Sequence, residues 1–219
     1  GIGKEASATF NNCTNGIFLS QMNIDRITDN HMTNVSQGIF ATSCNSTPES
    51  FIENNHIESQ ATGLFMGFNP LLQVNIINNK FTVNSIGNGN EEGIYSASAM
   101  NVCNIVNNEF FLNTGAFGFN GISSQNTSIL NNEFHLLNAN NNIAGINLQG
   151  SFGHIVRDNS FEGASTGGNT TGNTAFRSNG SSQLNLLCNE ADNTRVGFEY
   201  LGMHTGVQHE EHLVNTHEW

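Results

Sequence analysis

Basic residues are scarce in this chain: six Lys and Arg face eighteen Asp and Glu across 219 residues, a net charge of −12. Phosphate neutralisation needs a basic face, and no stretch gathers the few cations together. Nucleic acid is therefore excluded as a partner, and anionic membrane surfaces are disfavoured for the same reason. Charge of either sign is sparse, at 11% of residues, and only two prolines occur. No segment approaches eighteen consecutive apolar residues, so no membrane-spanning helix is expected. Gly1-Ile2-Gly3-Lys4-Glu5 carries no hydrophobic signal core. The four cysteines, Cys13, Cys44, Cys103 and Cys188, form no CxxC pair. That removes zinc-ribbon and dithiol redox chemistry, and free, largely buried thiols are expected.

What the chain does contain is Asn, about one residue in six, together with 23 Gly and 16 Phe. These residues recur in order. One element is Gly followed by an apolar pair or residue: Gly16-Ile17-Phe18, Gly38-Ile39-Phe40, Gly63-Leu64-Phe65, Gly93-Ile94-Tyr95, Gly121-Ile122 and Gly145-Ile146, spaced by 22, 25, 30, 28 and 24 residues. The other is an aliphatic residue, a spacer, two polar residues that are mostly Asn, a variable residue and an apolar one. It occurs seven times, as 27–32, 52–57, 76–81, 105–110, 129–134, 156–161 and 186–191. The two elements alternate along the chain, so each repeat holds at least two short strand-like segments.

Neither element is long enough for a helix, and the connections are rich in Asn, Gly, Ser and Thr, which supply turns. Propeller blades need longer repeats, and the leucine pattern of leucine-rich repeats is missing. What remains is a coil of two or three short strands, each pairing in parallel with its equivalent in the next coil. On this reading Phe81, Phe110, Phe134 and Phe161 stack inward at about the 4.8 Å strand spacing. The second polar residue of each pair is always Asn: 30, 55, 79, 108, 132, 159 and 189. Asn tolerates the left-handed backbone that a sharp corner requires, and inward amides could hydrogen-bond from coil to coil as a ladder.

These alternating Gly-Ile-Phe and Ile-x-Asn-Asn-x-Phe elements resemble the parallel β-helix repeats of the pectate-lyase-like superfamily, and most of all the Asn-rich repeats of large secreted bacterial surface proteins. The similarity covers about residues 8 to 200. It implies an all-β fold: a right-handed single-stranded parallel β-helix (solenoid) of about 7–8 coils. Residues 1–219 would form a single domain, with 201–219 an incomplete last coil or tail, cut from a longer protein. The resemblance is specific for fold and not for activity, because the superfamily holds lyases, hydrolases, epimerases, adhesins and structural stalks.

Candidate chemistry belongs on the outer face, where equivalent residues of neighbouring coils stand one strand spacing apart. The variable residue after the Asn pair gives one such rank: His31, His56, Lys80, Glu109, Glu133, Ser160 and Glu190. Glu109 and Glu133 could share Ca2+, and His31 with His56 a transition metal, but a solvated ladder of polar residues at a turn is the preferred reading of the rank and requires no metal. A glycoside hydrolase needs paired carboxylates. Of the four aspartates, Asp29 and Asp158 fill the first position of the turn pair, and Asp25 and Asp192 fall on distant coils. A lyase would need a cation and a base, for which Arg157, Arg177 and His154 are the candidates. The tail segment His209-Glu210-Glu211-His212, with His204 and His217 nearby, is not the HExxH pattern. No catalytic, cofactor-binding or metal residue is therefore assigned. The expected role is a structural or interaction module of a secreted or cell-surface protein, a rigid spacer of about 35 to 40 Å associated with carbohydrate. Its other partners would be flanking β-helix coils or domains of the parent protein. The alternative is a polysaccharide lyase or glycoside hydrolase with a groove on one face. Tyr95, Tyr200 and Trp219 are the candidate exposed aromatics.

Overall fold

The computed structural model describes residues 7–67, 73–84, 91–97, 103–113, 116–137, 143–164, 173–205 and 216–218. All of its regular structure is β, with no helix among the described residues. Strands of one coil pair in parallel with their equivalents in the next, which gives a parallel β-solenoid. The Asn-Asn element straddles a corner of each coil. Its first two residues belong to a seven-stranded sheet that runs from Asn23–Thr28 to Asn185–Leu187, with six full turns between the first strand and the last. Its last two open the next strand, in a fifteen-stranded sheet. That larger sheet combines two ranks, because His31–Thr42 and His56–Gly67 run through both. The second rank carries the Gly-Ile-Phe elements.

The interior follows from the repeat. Met32, Ile57, Phe81, Phe110, Phe134, Phe161 and Ala191 are Cα partners in turn and are all buried. The four Phe rings stack at centroid separations of 5.1, 4.7 and 4.8 Å. The repeat spacing thus becomes a column of ring contacts. Glycine is needed beside this column: a Cβ on Gly93 would come within 2.7 Å of both the Phe110 ring and the Gly118 carbonyl. The paired register also corrects the fifth copy of the Gly element. Phe119 pairs with Ile94 and Ile146, so the stacked glycine is Gly118 and not Gly121, which pairs with Ser96.

The corner differs from the sequence expectation in its detail. Left-handed backbone falls on the first residue of each polar pair, with φ between 51° and 56° at Asp29, Asn54, Asn78, Asn107, Asn131, Asp158 and Cys188. This releases the second residue, Asn30 through Asn189, to turn its amide inward, where all seven are buried. Asn79 is representative. Its Nδ2 donates to Asn108 Oδ1 at 3.0 Å and to the carbonyls of Ile52 and Ile77 at 2.8 and 3.1 Å, and its backbone N–H donates to the same Asn108 oxygen at 2.9 Å. Each amide thereby satisfies strand ends that would otherwise be buried without partners. Cys188 takes the left-handed position and is exposed, Cys13 is half-buried, and Cys44 and Cys103 are buried. The expectation of largely buried thiols is corrected at those first two positions.

Candidate functional site

Two parts of the outer surface concentrate chemistry. The first is the rank that follows the corner. Here His31, His56, Lys80, Glu109, Glu133, Ser160 and Glu190 are successive Cα partners, in the order read from the sequence. His31 and His56 meet edge to face at 4.6 Å. Burial, then the neighbouring His31, and then Lys80 hold the His56 imidazole below its ordinary pKa. A parallel rank two residues on contributes Phe111, His135 and Glu162. Lys80 Nζ lies 3.4 Å from Glu109 Oε2 and 4.2 Å from the centre of the Phe111 ring. His135 stacks on Phe111 and stands 3.6, 3.8 and 3.3 Å from Glu109, Glu133 and Glu162. His135 carries no motif, and only the register brings it beside these carboxylates.

Glu109, Glu133 and His135 each offer a ligand atom within 4.8 Å of the others. A calcium ion takes six to eight oxygens, whereas this set holds a nitrogen and two carboxylates, which suits a borderline transition metal better. Lys80 already compensates part of that charge. The Lys80–Glu109 ion pair, with the His135 ring set among the three carboxylates, is the simpler account of the cluster.

The second part lies on the Gly-Ile-Phe rank. The Ile or Leu of each copy points into the core, with Ile39, Leu64 and Ile94 fully buried. The aromatic residue that follows points out. Phe18, Phe40, Phe65 and Tyr95 stack in succession at 5.3, 4.4 and 5.2 Å along the outside, and Phe18 is 58% exposed. Their next partner in register is Asn120, so the rank of rings ends at Tyr95. Beside that end lies an open groove of about 430 Å³, lined by Gln37, Thr62, Phe65, Glu92, Tyr95, Asn120 and Ile122.

Glu92 is the chemical centre of the groove. It occupies the position before the repeat glycine, where neighbouring coils carry Gln37, Thr62 and Phe117. Thr62 Oγ1 donates to one carboxyl oxygen at 3.1 Å and Asn120 Nδ2 to the other at 3.2 Å. Asn120 is itself held by Asn147 Nδ2 at 2.8 Å. Despite these donors, burial dominates, and the Glu92 pKa is raised to about 7. Burial, and then Glu92 itself, push the Tyr95 phenol up as well. Sequence reasoning missed Glu92. The available signal was an acidic residue in a repeat position that other coils fill with uncharged side chains.

The remaining candidates are not brought together. Arg157 lies in the seven-stranded sheet and pairs with Asp158 at 2.8 Å, whereas Arg177 lies in the larger sheet and pairs with Glu199 at 2.5 Å. His154 is buried against Ser124 Oγ at 3.2 Å, and burial lowers its pKa to about 4. The lyase constellation of these three residues is thus corrected. Asp29 and Asp158 serve the corner. The segment His209 to His212, the side chain of His217 and Trp219 lie outside the described residues.

No protein-family model and no curated protein matches the chain. Among solved structures, two trypsin-treated variants of QnrB1, a plasmid-mediated fluoroquinolone resistance protein, are similar to it at a low level. One has a TM-score of 0.23 and 11% identity over 83% of this chain and 84% of the other. The second has a TM-score of 0.18 and 13% identity over 88% and 84%.

Proposed function

We propose that this chain is a rigid interaction module of a secreted or cell-surface protein, a β-solenoid of the pectate-lyase-like kind that holds carbohydrate on its outer face. The observation that carries the reading is the outward rank Phe18-Phe40-Phe65-Tyr95, which ends at a groove with hydrogen-bonding walls. A plain spacer gains nothing from an outward rank of stacked Phe, of which Phe18 is exposed and Phe40 and Phe65 are half-buried. A sugar ring, by contrast, offers an apolar C–H face and polar hydroxyls together, and Tyr95 beside Gln37, Thr62 and Asn120 supplies matching groups. The buried amide column stiffens the coil stack, and the end coils would pair with flanking coils or domains of the parent protein. A net charge of −12 favours neutral or cationic glycans over polyanions.

Affinity electrophoresis through gels containing soluble neutral polysaccharides tests this. The protein is expected to be retarded, and the double variant Phe40→Ser, Phe65→Ser to migrate freely. Equal migration of both proteins in every gel overturns the reading.

One observation favours a second reading, a polysaccharide lyase or glycoside hydrolase working in the same groove. With its pKa raised to about 7, Glu92 is still partly protonated near neutral pH, as a general acid must be. A hydrolase sets a second carboxylate across the scissile bond, and Glu92 is the one carboxyl among the described lining residues. The binding reading therefore takes precedence. Release of reducing ends or unsaturated products from polysaccharide, with or without calcium, would reverse that order.

A further inference from the structure

We infer that the Glu92 groove is a subsite for an amino sugar: the carboxyl receives the sugar's ammonium group while the pyranose lies against Tyr95. The inference rests on the carbohydrate reading above and narrows it to one ligand class.

The groove's lining residues are Gln37, Thr62, Phe65, Glu92, Tyr95, Asn120 and Ile122, and none of them is a cation. A neutral sugar needs only hydrogen-bonding groups, which Gln37, Thr62 and Asn120 already provide. A carboxylate can also accept from sugar hydroxyls, but ionising it in this buried place costs the fold stability, a cost that a neutral ligand does not offset with a counter-charge. For an ammonium ligand the carboxylate is the one group in the groove that supplies a charge-assisted hydrogen bond.

The carboxyl is also pre-set. Thr62 and Asn120 hold its two oxygens from opposite sides, and Asn147 fixes Asn120 in turn. Each oxygen keeps acceptor capacity for one more donor, so a ligand N–H would meet an oriented partner without a rotamer cost. The aromatic rank supports the same ligand class. Tyr95 is its last ring, with Phe65 stacked on one face and Asn120 as its next partner in register. Aromatic side chains attract both sugar C–H groups and cations. The volume of about 430 Å³ suits a sugar unit, and the site lies within the field of a chain of net charge −12.

Proton bookkeeping makes the inference measurable. The titratable neighbours of Glu92 are the Glu91 carboxyl and the Tyr95 phenol, neither of them a cation, so when a charged ammonium meets a protonated Glu92 the ion pair forms with release of one proton to the buffer. Affinity is thus expected to rise between pH 5 and pH 7, and calorimetry at pH 6 in two buffers of different ionisation enthalpy should report proton release. The probes are the β-1,4 glucosamine tetramer and its fully N-acetylated counterpart, titrated into the full chain. The glucosamine tetramer should bind at least about tenfold more tightly at pH 7, a preference that Glu92→Gln abolishes. Tyr95→Ala keeps the carboxyl and should weaken both tetramers alike, which gives a second readout should Glu92→Gln disturb folding. If both tetramers bind equally and Glu92→Gln changes nothing, the ammonium subsite is wrong while the carbohydrate reading survives. If neither binds, the ammonium subsite falls, while the carbohydrate reading falls only if the gels show no retardation as well. A preference that persists in Glu92→Gln, or affinity that is flat with pH, places the ammonium elsewhere and overturns the inference.

Discussion

Replacing Glu92 with Gln should stabilise the protein above neutral pH and leave it unchanged in acid. Glu92 titrates near 7 in the fold against 4.5 in an exposed reference, chiefly because it is buried. Below pH 4.5 both the folded and the unfolded chain carry the proton, and the group costs nothing. Between 4.5 and 7 the unfolded chain ionises first, so stability falls as pH rises, and the loss is complete above 7. At 1.36 kcal/mol per pKa unit the full cost is about 3 kcal/mol at most. Gln has the same shape, still accepts from Thr62 or Asn120, and never ionises. Urea unfolding of both proteins at unit intervals from pH 4 to pH 8 provides the assay. The contributions of the other titrating groups cancel in the difference between variant and parent, apart from those of Glu91 and Tyr95, whose coupling to Glu92 the variant removes. That difference should be close to zero at pH 4 and grow to about 2 to 3 kcal/mol by pH 8. A difference independent of pH, or a variant less stable at pH 8, would refute the assignment of Glu92 as a desolvated carboxyl.

The buried histidine gives the opposite slope: His154 titrates near 4 in the fold against 6.5 outside it. Stability should therefore decline as pH falls from 6.5 to 4, by up to about 3 kcal/mol, and His154→Leu should flatten that limb of a thermal-midpoint profile. Asn108→Asp keeps an acceptor for Asn79 but removes the donor to Ile76 O, Val106 O and Asn132 Oδ1. It should cost about 3 kcal/mol or more by urea unfolding, and a loss under about 1 kcal/mol would argue against the amide column as a source of stability. Gly93→Ala drives a methyl into Phe110 and the Gly118 carbonyl, with an expected cost of about 1 to 3 kcal/mol. Adding Phe110→Leu should recover part of that loss, and strict additivity in the double-mutant cycle would show that the two residues do not press on each other.

The outer histidine and glutamate rank shows how a solenoid turns sequence into contacts. Residues one repeat apart become neighbours, so the order His31, His56, Lys80, Glu109, Glu133 could be written down without coordinates. The cross-link of His135 to three glutamates could not, because it joins two ranks whose relative position depends on where the strand turns its side chains.

By itself the sequence determined the repeat, the parallel stacking of its coils and the identity of the Phe column, because stacking at one strand spacing maps sequence periodicity onto space directly. Tertiary structure alone decided which apolar residues face outward. Gly93 abuts the buried Phe110 and Ile94 is itself buried, so two successive residues face the core, and strand alternation cannot be counted through the element to reach Tyr95. It also decided which residue of each corner pair is left-handed, since Asn and Asp tolerate that backbone equally well in sequence terms. The Glu92 groove belongs to the same class. Its carboxyl is perturbed by burial, and burial is a property of everything packed around a residue, which no repeat unit contains.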